Sequence, residues 1–299
     1  VDLLSQISIG TIFLGLALCY RRKYPLAHSL VLINLAVFML TVISAWGQPS
    51  YLLSPVQEEL GFRPIYFGEL ENLYTIFTQM FVHAGLLHIL FNMLFLFLIG
   101  VPLEERVGRK AFAACYFIPG LMALVLESSV QGFDSGILML GASGAISGAM
   151  GAILLLYPKD EIPMFLGPIF LPRVPVWLSV GAWFGIQLLT IFTLPDGIAS
   201  GGVAYFAHIG GFVAGMAVAQ MLPGKRSSAE APPEKLEDLA TTEELRGMVH
   251  RIEEESEPQV RQAWMEHFAS KATCPECGGR LELEGNRIKC ACGWERKVR

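Results

Sequence analysis

Seven apolar stretches separated by short charged loops constrain this chain more than any other feature: roughly 3–20, 26–46, 84–101, 111–130, 143–157, 174–194 and 203–222. About 20 apolar residues suffice to cross a bilayer as a helix, and in hydrocarbon a helix satisfies its own backbone polar groups. Charged residues make up 16% of the chain and hydrophobic residues 53%, which excludes an ordinary soluble protein. The sequence predicts an all-α polytopic membrane protein. The short stretch opening at Ser143 suits a helix that ends in a water-filled cavity. Segment 3–20 has the length of a signal peptide, but Arg21, Arg22 and Lys23 follow it instead of preceding it. With no small-residue cleavage site evident, it reads as an extra helix.

Lysine and arginine set the expected orientation. Eleven occur up to residue 226, and ten fall at 21–23, 106–110, 159–173 and 225–226, which alternate spans place on one side. Only Arg63 falls opposite. The positive-inside rule makes the ten cytoplasmic. The N-terminus and the loop 47–80 are then outside, and the tail is inside a plasma or inner membrane. Ser143 and His208 both begin their helices at the outer side, so a site built from them opens outward.

From Pro223 the composition changes. Ser227 to Pro233 is small, polar and Pro-containing and reads as a linker; residues 234–270 carry Leu239, Leu245, Met248, Ile252 and Val260 at a loose helical period. Cys19 and Cys115 stand alone in apolar spans as small core residues. The remaining four form Cys274-Pro-Glu-Cys277 and Cys290-Ala-Cys292 around an alternating stretch, Arg280 to Lys289, with Glu284-Gly285-Asn286 at its centre. That is a β-hairpin with two thiol pairs at its base, the pattern of a structural tetrahedral zinc site. A segment this small lacks a core and needs such a staple. Two disulfides are one alternative, which a cytoplasmic location disfavours; a redox pair is another, but the doubled spacing fits a metal better.

Three clusters carry chemistry. Gly141-Ala142-Ser143-Gly144 offers a serine nucleophile at the mouth of an apolar helix, although Gly144, Gly148 and Gly151 also form a small-residue packing pattern. His208 lies near the start of the last apolar stretch, where an ionisable group is a functional candidate by default, and a neutral imidazole can accept the serine proton. Gly210, Gly211 and Gly215 give that stretch a small face. It contains no acid, and Asp196 in the preceding loop is poorly placed, so a dyad is expected and not a triad. His88 and Asn92, four apart, share a helix face and can both donate to an oxyanion; His83 falls elsewhere and takes a structural role.

Together these clusters resemble the rhomboid family of intramembrane serine proteases. The matching text is His83…His88-Ile-Leu-Phe-Asn92, Gly141-Ala142-Ser143-Gly144 and Ala207-His208-Ile209-Gly210-Gly211, with Glu104-Glu105-Arg106 resembling the family's Glu-x-Arg motif. The resemblance covers about 26–222 and implies a six-helix bundle around a water-accessible cavity. It implies Ser143 and His208 as the dyad and His88, Asn92 and the Ser143 backbone amide as oxyanion donors, with no cofactor for catalysis. Substrates would be single-spanning membrane proteins cut in or near their transmembrane segments. The expected organisation is an extra helix in 1–25, the six-helix core in 26–222, a linker and helical segment in 223–271 and a zinc-ribbon-like module in 272–299. Two positions depart from the family pattern. Ser147 stands where some members have an aromatic that stacks on the catalytic histidine, and Phe62-Arg63 is only a loose stand-in for a Trp-Arg pair.

The alternative reading is a non-catalytic rhomboid-like protein that binds transmembrane clients. Degenerate members lose a catalytic residue, and here Ser143, His208, His88 and Asn92 are all present. A transporter would need more polar groups at mid-depth. The tail mixes Arg280, Arg287, Lys289 and Arg296 with Glu276, Glu282, Glu284 and Glu295. A nucleic-acid module would show a clearer basic stripe, so a cytoplasmic protein partner is the expected role.

Overall fold

Asp2 starts the first helix by accepting a hydrogen bond from the Ser5 amide, and α1 then runs Leu3–Arg22. The structure, a computed structural model, describes residues 1–46, 53–166, 169–193, 204–222, 236–255, 257–284 and 287–297. The linker 227–233, Asp196 and the turn residues 285–286 lie outside them. The chain falls into two units, Val1–Arg226 and Ser227–Arg299.

In the first unit, Lys23 adopts the left-handed conformation (φ 57°) and ends α1, and α2 follows at Leu26–Ser44. Ser5, Ser8, Ile12 and Cys19 form the buried stripe of α1, whereas Phe13 and Leu14 are 55% and 71% exposed. Large apolar side chains on the outer faces of helices are what a lipid-facing surface requires. The region that follows is irregular. It contains α3 (Pro55–Leu60), opened by a Ser54–Gln57 capping box, two 3₁₀ turns, and α4 (Thr75–Thr78). Phe62 exchanges backbone hydrogen bonds with Met139, and Arg63 pairs with Glu58.

Helix α5 (Leu86–Phe95) widens into a π turn at Leu96–Gly100 and continues as α6 (Val101–Val107). Pro102 has no N–H for the turn before it, which accounts for the widening there. Helix α7 spans Arg109–Gln131, α8 Ser143–Leu156, α9 Val176–Thr193 and α10 Tyr205–Met221. Among the described residues, four helices are long and apolar enough to cross a membrane: Leu3–Arg22, Leu26–Ser44, Leu86–Val107 and Arg109–Gln131; Ser143–Leu156 and Val176–Leu189 are shorter apolar helices. Between α8 and α9 the chain forms an antiparallel pair, β1 (Glu161–Leu166) and β2 (Ile169–Pro175), with Phe165 against Phe170. The sequence reading has only a basic loop at this place.

Helix α8 packs closely on both α7 and α10, which also touch each other. A methyl group added at Gly211 would collide with the Gly144 carbonyl, and one at Gly215 with the Gly148 carbonyl. Both positions advance by four residues together, so α8 and α10 run parallel. On its other side Gly148 faces Pro119 of α7.

The Glu-x-Arg motif locks the opposite end. Pro25 gives α2 no side-chain cap, and the buried Glu104 carboxylate instead accepts from the Leu26 and Ala27 amides, both at 2.7 Å. Arg106 pairs with Asp160 at 2.6 Å, just beyond the end of α8.

The second unit has its own core. Thr242 caps α11 (Glu243–Glu254), whose Leu245, Met248, Val249 and Ile252 are buried. They share one cluster with Phe268 and Ala269 of α12 (Pro258–Lys271) and with Leu281 and Ile288 of the sheet. Val260 lies on the exposed side of α12. The sheet is antiparallel, β3 (Leu281–Glu284), β4 (Arg287–Cys290) and β5 (Glu295–Lys297), one strand more than the expected hairpin.

Replacing Gly215 with alanine forces α8 and α10 apart and lowers stability by about 1–3 kcal/mol, read as a drop in the thermal midpoint in detergent. Gly181→Ala, where nothing lies within 4 Å, leaves that midpoint unchanged or slightly raised.

Candidate active site

Ser143 is the first residue of α8, and the preceding Ala142 offers no side-chain cap. The first-turn amides of α8 therefore have no intrahelical acceptor and point past Ser143. At 14 residues, α8 is about 21 Å long, short of the ~30 Å hydrocarbon thickness. Just beyond its far end, Asp160 pairs with Arg106. Ser143 lines a small cavity of about 30 Å³ with Gln79, Gly141 and Ala207, the last of these the neighbour of His208.

Gly141 is required twice. Its φ of +119° lies in the region that favours glycine. A Cβ there would also come 2.7 Å from His88 Nε2 and 3.9 Å from Ser143 Oγ. The His88 ring and the serine thus flank one glycine. The Ala84 amide donates to His88 Nδ1 at 3.3 Å, which leaves the hydrogen on Nε2, the nitrogen nearest Gly141. Asn92 is buried one turn further along α5 and donates to the His88 carbonyl at 2.8 Å. His83 packs its ring edge-on to His88 at 5.1 Å and is fully buried.

His208 sits in the first turn of α10. Its ring lies 5.9 Å from that of Trp183 and 6.4 Å from that of Tyr205, and its Nδ1 is 3.1 Å from Gln187 Oε1. Among the described residues no hydrogen bond joins Ser143 to His208. The two are carried by helices whose backbones touch at Gly144 and Gly211, one residue after the serine and three after the histidine. Ser147 turns back on its own helix and bonds the Ser143 carbonyl at 2.7 Å, so it does not serve the histidine.

Glu127 was not singled out from the sequence. It lies on α7, 3% exposed, and accepts from the Ala207 amide at 2.8 Å and from Gln131 at 3.0 Å. It caps α10, which has no side-chain cap of its own. The available signal was a carboxylate inside an apolar stretch. Gln187 and Trp183 were missed for a different reason: neither is unusual in a membrane helix read alone.

In the tail, the sulfurs of Cys274, Cys277, Cys290 and Cys292 lie within 4.8 Å of one another, with Cys274–Cys292 at 3.7 Å and Cys277–Cys290 at 3.4 Å. Four thiolates about 2.3 Å from one ion stand roughly 3.8 Å apart, so this set could hold a metal.

A rhomboid domain model matches residues 70–225, more than half of the chain. The chain belongs to the rhomboid family. It is an integral membrane protein of that family, with two long apolar helices, Leu3–Arg22 and Leu26–Ser44, ahead of the matched region and a cysteine-bearing β module behind it. It is 32% identical over 147 residues to RHOMBOID-like protein 1 of Arabidopsis thaliana, covering 48% of this chain and 33% of that protein. It is 32% identical over 152 residues to rhomboid-related protein 2 of Mus musculus, covering 50% and 47%. Rhomboid protease GlpG of Pectobacterium atrosepticum is 24% identical over 200 residues, covering 67% and 63%. The chain therefore spans from a third to under two thirds of the length of these relatives.

Glu127→Ala leaves the Ala207 amide unpaired and is expected to cost about 1–3 kcal/mol. Glu127→Gln keeps an acceptor and most of that stability, as measured by unfolding in detergent.

Proposed function

We propose that this chain is an intramembrane serine endopeptidase that cleaves peptide bonds in or near the transmembrane segments of single-spanning membrane proteins. The observation that carries this reading is the parallel glycine contact of α8 with α10, which brings the helix starts bearing Ser143 and His208 side by side. Ser143 Oγ attacks the scissile carbonyl carbon and its proton passes to His208 Nε2. The carbonyl electron pair moves to oxygen, where His88 Nε2–H, Asn92 and the Ser143 amide donate to the oxyanion. Collapse re-forms the carbonyl and breaks the C–N bond, and the amine leaves with the proton from His208. Water then repeats the sequence on the acyl-enzyme.

The positive-inside asymmetry supports a site open to the outside of a plasma or inner membrane and a cytoplasmic tail. Residues 26–222 are read as the catalytic core and 1–25 as an added helix. In the tail, Cys274, Cys277, Cys290 and Cys292 bind a structural zinc ion, and the module contacts a cytoplasmic protein.

The test is labelling by a fluorophosphonate probe together with cleavage of a transmembrane substrate. Wild type should do both, and Ser143→Ala and His208→Ala should lose at least about 10³-fold. His88→Ala should lose about 10²-fold. A folded wild type that neither labels nor cleaves overturns the reading and favours a client-binding protein without catalysis. For the tail, Cys274→Ser or a strong chelator should release one zinc per chain, measured by metal analysis, and melt the β module.

A further inference from the structure

We propose that Gln187 is the positioning residue of His208, fixing the imidazole in the tautomer that leaves Nε2 free to take the serine proton. This rests on the reading of Ser143 and His208 as nucleophile and base, and it deepens that reading. It also supplies what the position of Ser147 does not, since that hydroxyl is bonded to the Ser143 carbonyl.

Two independent observations converge on α9. First, Gln187 Oε1 lies 3.1 Å from His208 Nδ1. An amide oxygen only accepts, so Nδ1 carries the hydrogen and the lone pair sits on Nε2. A base in the other tautomer would present a hydrogen to the serine and could not accept its proton. Second, Trp183, one helical turn before Gln187, places its ring 5.9 Å from the His208 ring at 43°. Residues four apart share a helix face, so a single face of α9 provides both a wall and a hydrogen-bond acceptor for the histidine.

That face is registered on α10. Phe212, one turn after His208, stacks on Phe184 at 4.2 Å and 16° and meets Trp183 at 6.4 Å. The aromatic contact fixes the axial position of α9, and Gln187 then reaches the ring nitrogen. In a Ser-His-Asp triad a carboxylate orients the histidine. Here a neutral amide does so, and it places no second charge at membrane depth.

The experiment uses the full chain in detergent and compares wild type, Gln187→Leu, Gln187→Glu and Ser143→Ala. Cleavage of a transmembrane peptide is followed against pH, and ¹⁵N-histidine NMR is assigned by difference from His208→Ala. Gln187→Leu should lower kcat by roughly 10²-fold with KM unchanged. Wild type should show a single Nδ1-protonated tautomer of His208, and Gln187→Leu should lose it. Gln187→Glu remains an acceptor and should retain most of kcat. Its carboxylate favours the imidazolium, so the acid limb of kcat/KM moves to higher pH. Wild-type kcat and an unchanged spectrum in Gln187→Leu overturn the proposal, as does a Gln187→Glu variant as impaired as Gln187→Leu. A wild type without cleavage, or cleavage surviving in Ser143→Ala, overturns the enzyme reading instead. The NMR tautomer then decides the role of Gln187 separately.

Discussion

The contact of α8 with α10 is made by backbone atoms, and the rest of the first unit is arranged around it. Glycines at 144, 148, 211 and 215 let the two backbones meet without intervening side chains at those turns. In lipid, helices gain little from burying apolar surface against each other, so association depends on close packing. The same absence of side chains brings the starts of both helices together. Pro119 of α7 closes the far side of Gly148. Ser143 and His208 stand at the starts of the two helices, and Met216 of α10 reaches Gly151 at the other end of the contact.

Two buried carboxylates do matching work at distant places. Neither α2 nor α10 has a capping side chain of its own. Glu104 accepts from the first amides of α2, and Glu127 from an amide in the first turn of α10. A helix N-terminus carries partial positive charge and unpaired donors, which favour an anion there. Each glutamate thereby becomes compatible with burial and joins two helices that are distant in sequence.

Much of this was legible in the sequence because hydrocarbon leaves few alternatives to an apolar helix. All seven apolar stretches correspond to helices among the described residues, and the spacing of the cysteines foretold their clustering. What escaped was pairing between elements. The β1–β2 pair falls where the sequence shows a short loop with basic residues, and the pairing of Ile162 with Val174 and Met164 with Leu171 links two strands neither of which reveals the other. The β5 strand is three residues long, too short to show a period. Gln187 and Glu127 act on residues of another helix, and no local pattern encodes such a partnership.

The chain order of the site bears on biosynthesis. Ser143 opens α8, whereas His208 and its amide cap belong to α10, the last apolar helix of the described unit. A nascent chain exposes its serine to the membrane long before the imidazole arrives. Insertion of α10 would supply the base and the seam that holds it in one step. On the reading proposed here, the ribosome would deliver an inert precursor that acquires its reactivity only when the bundle is closed.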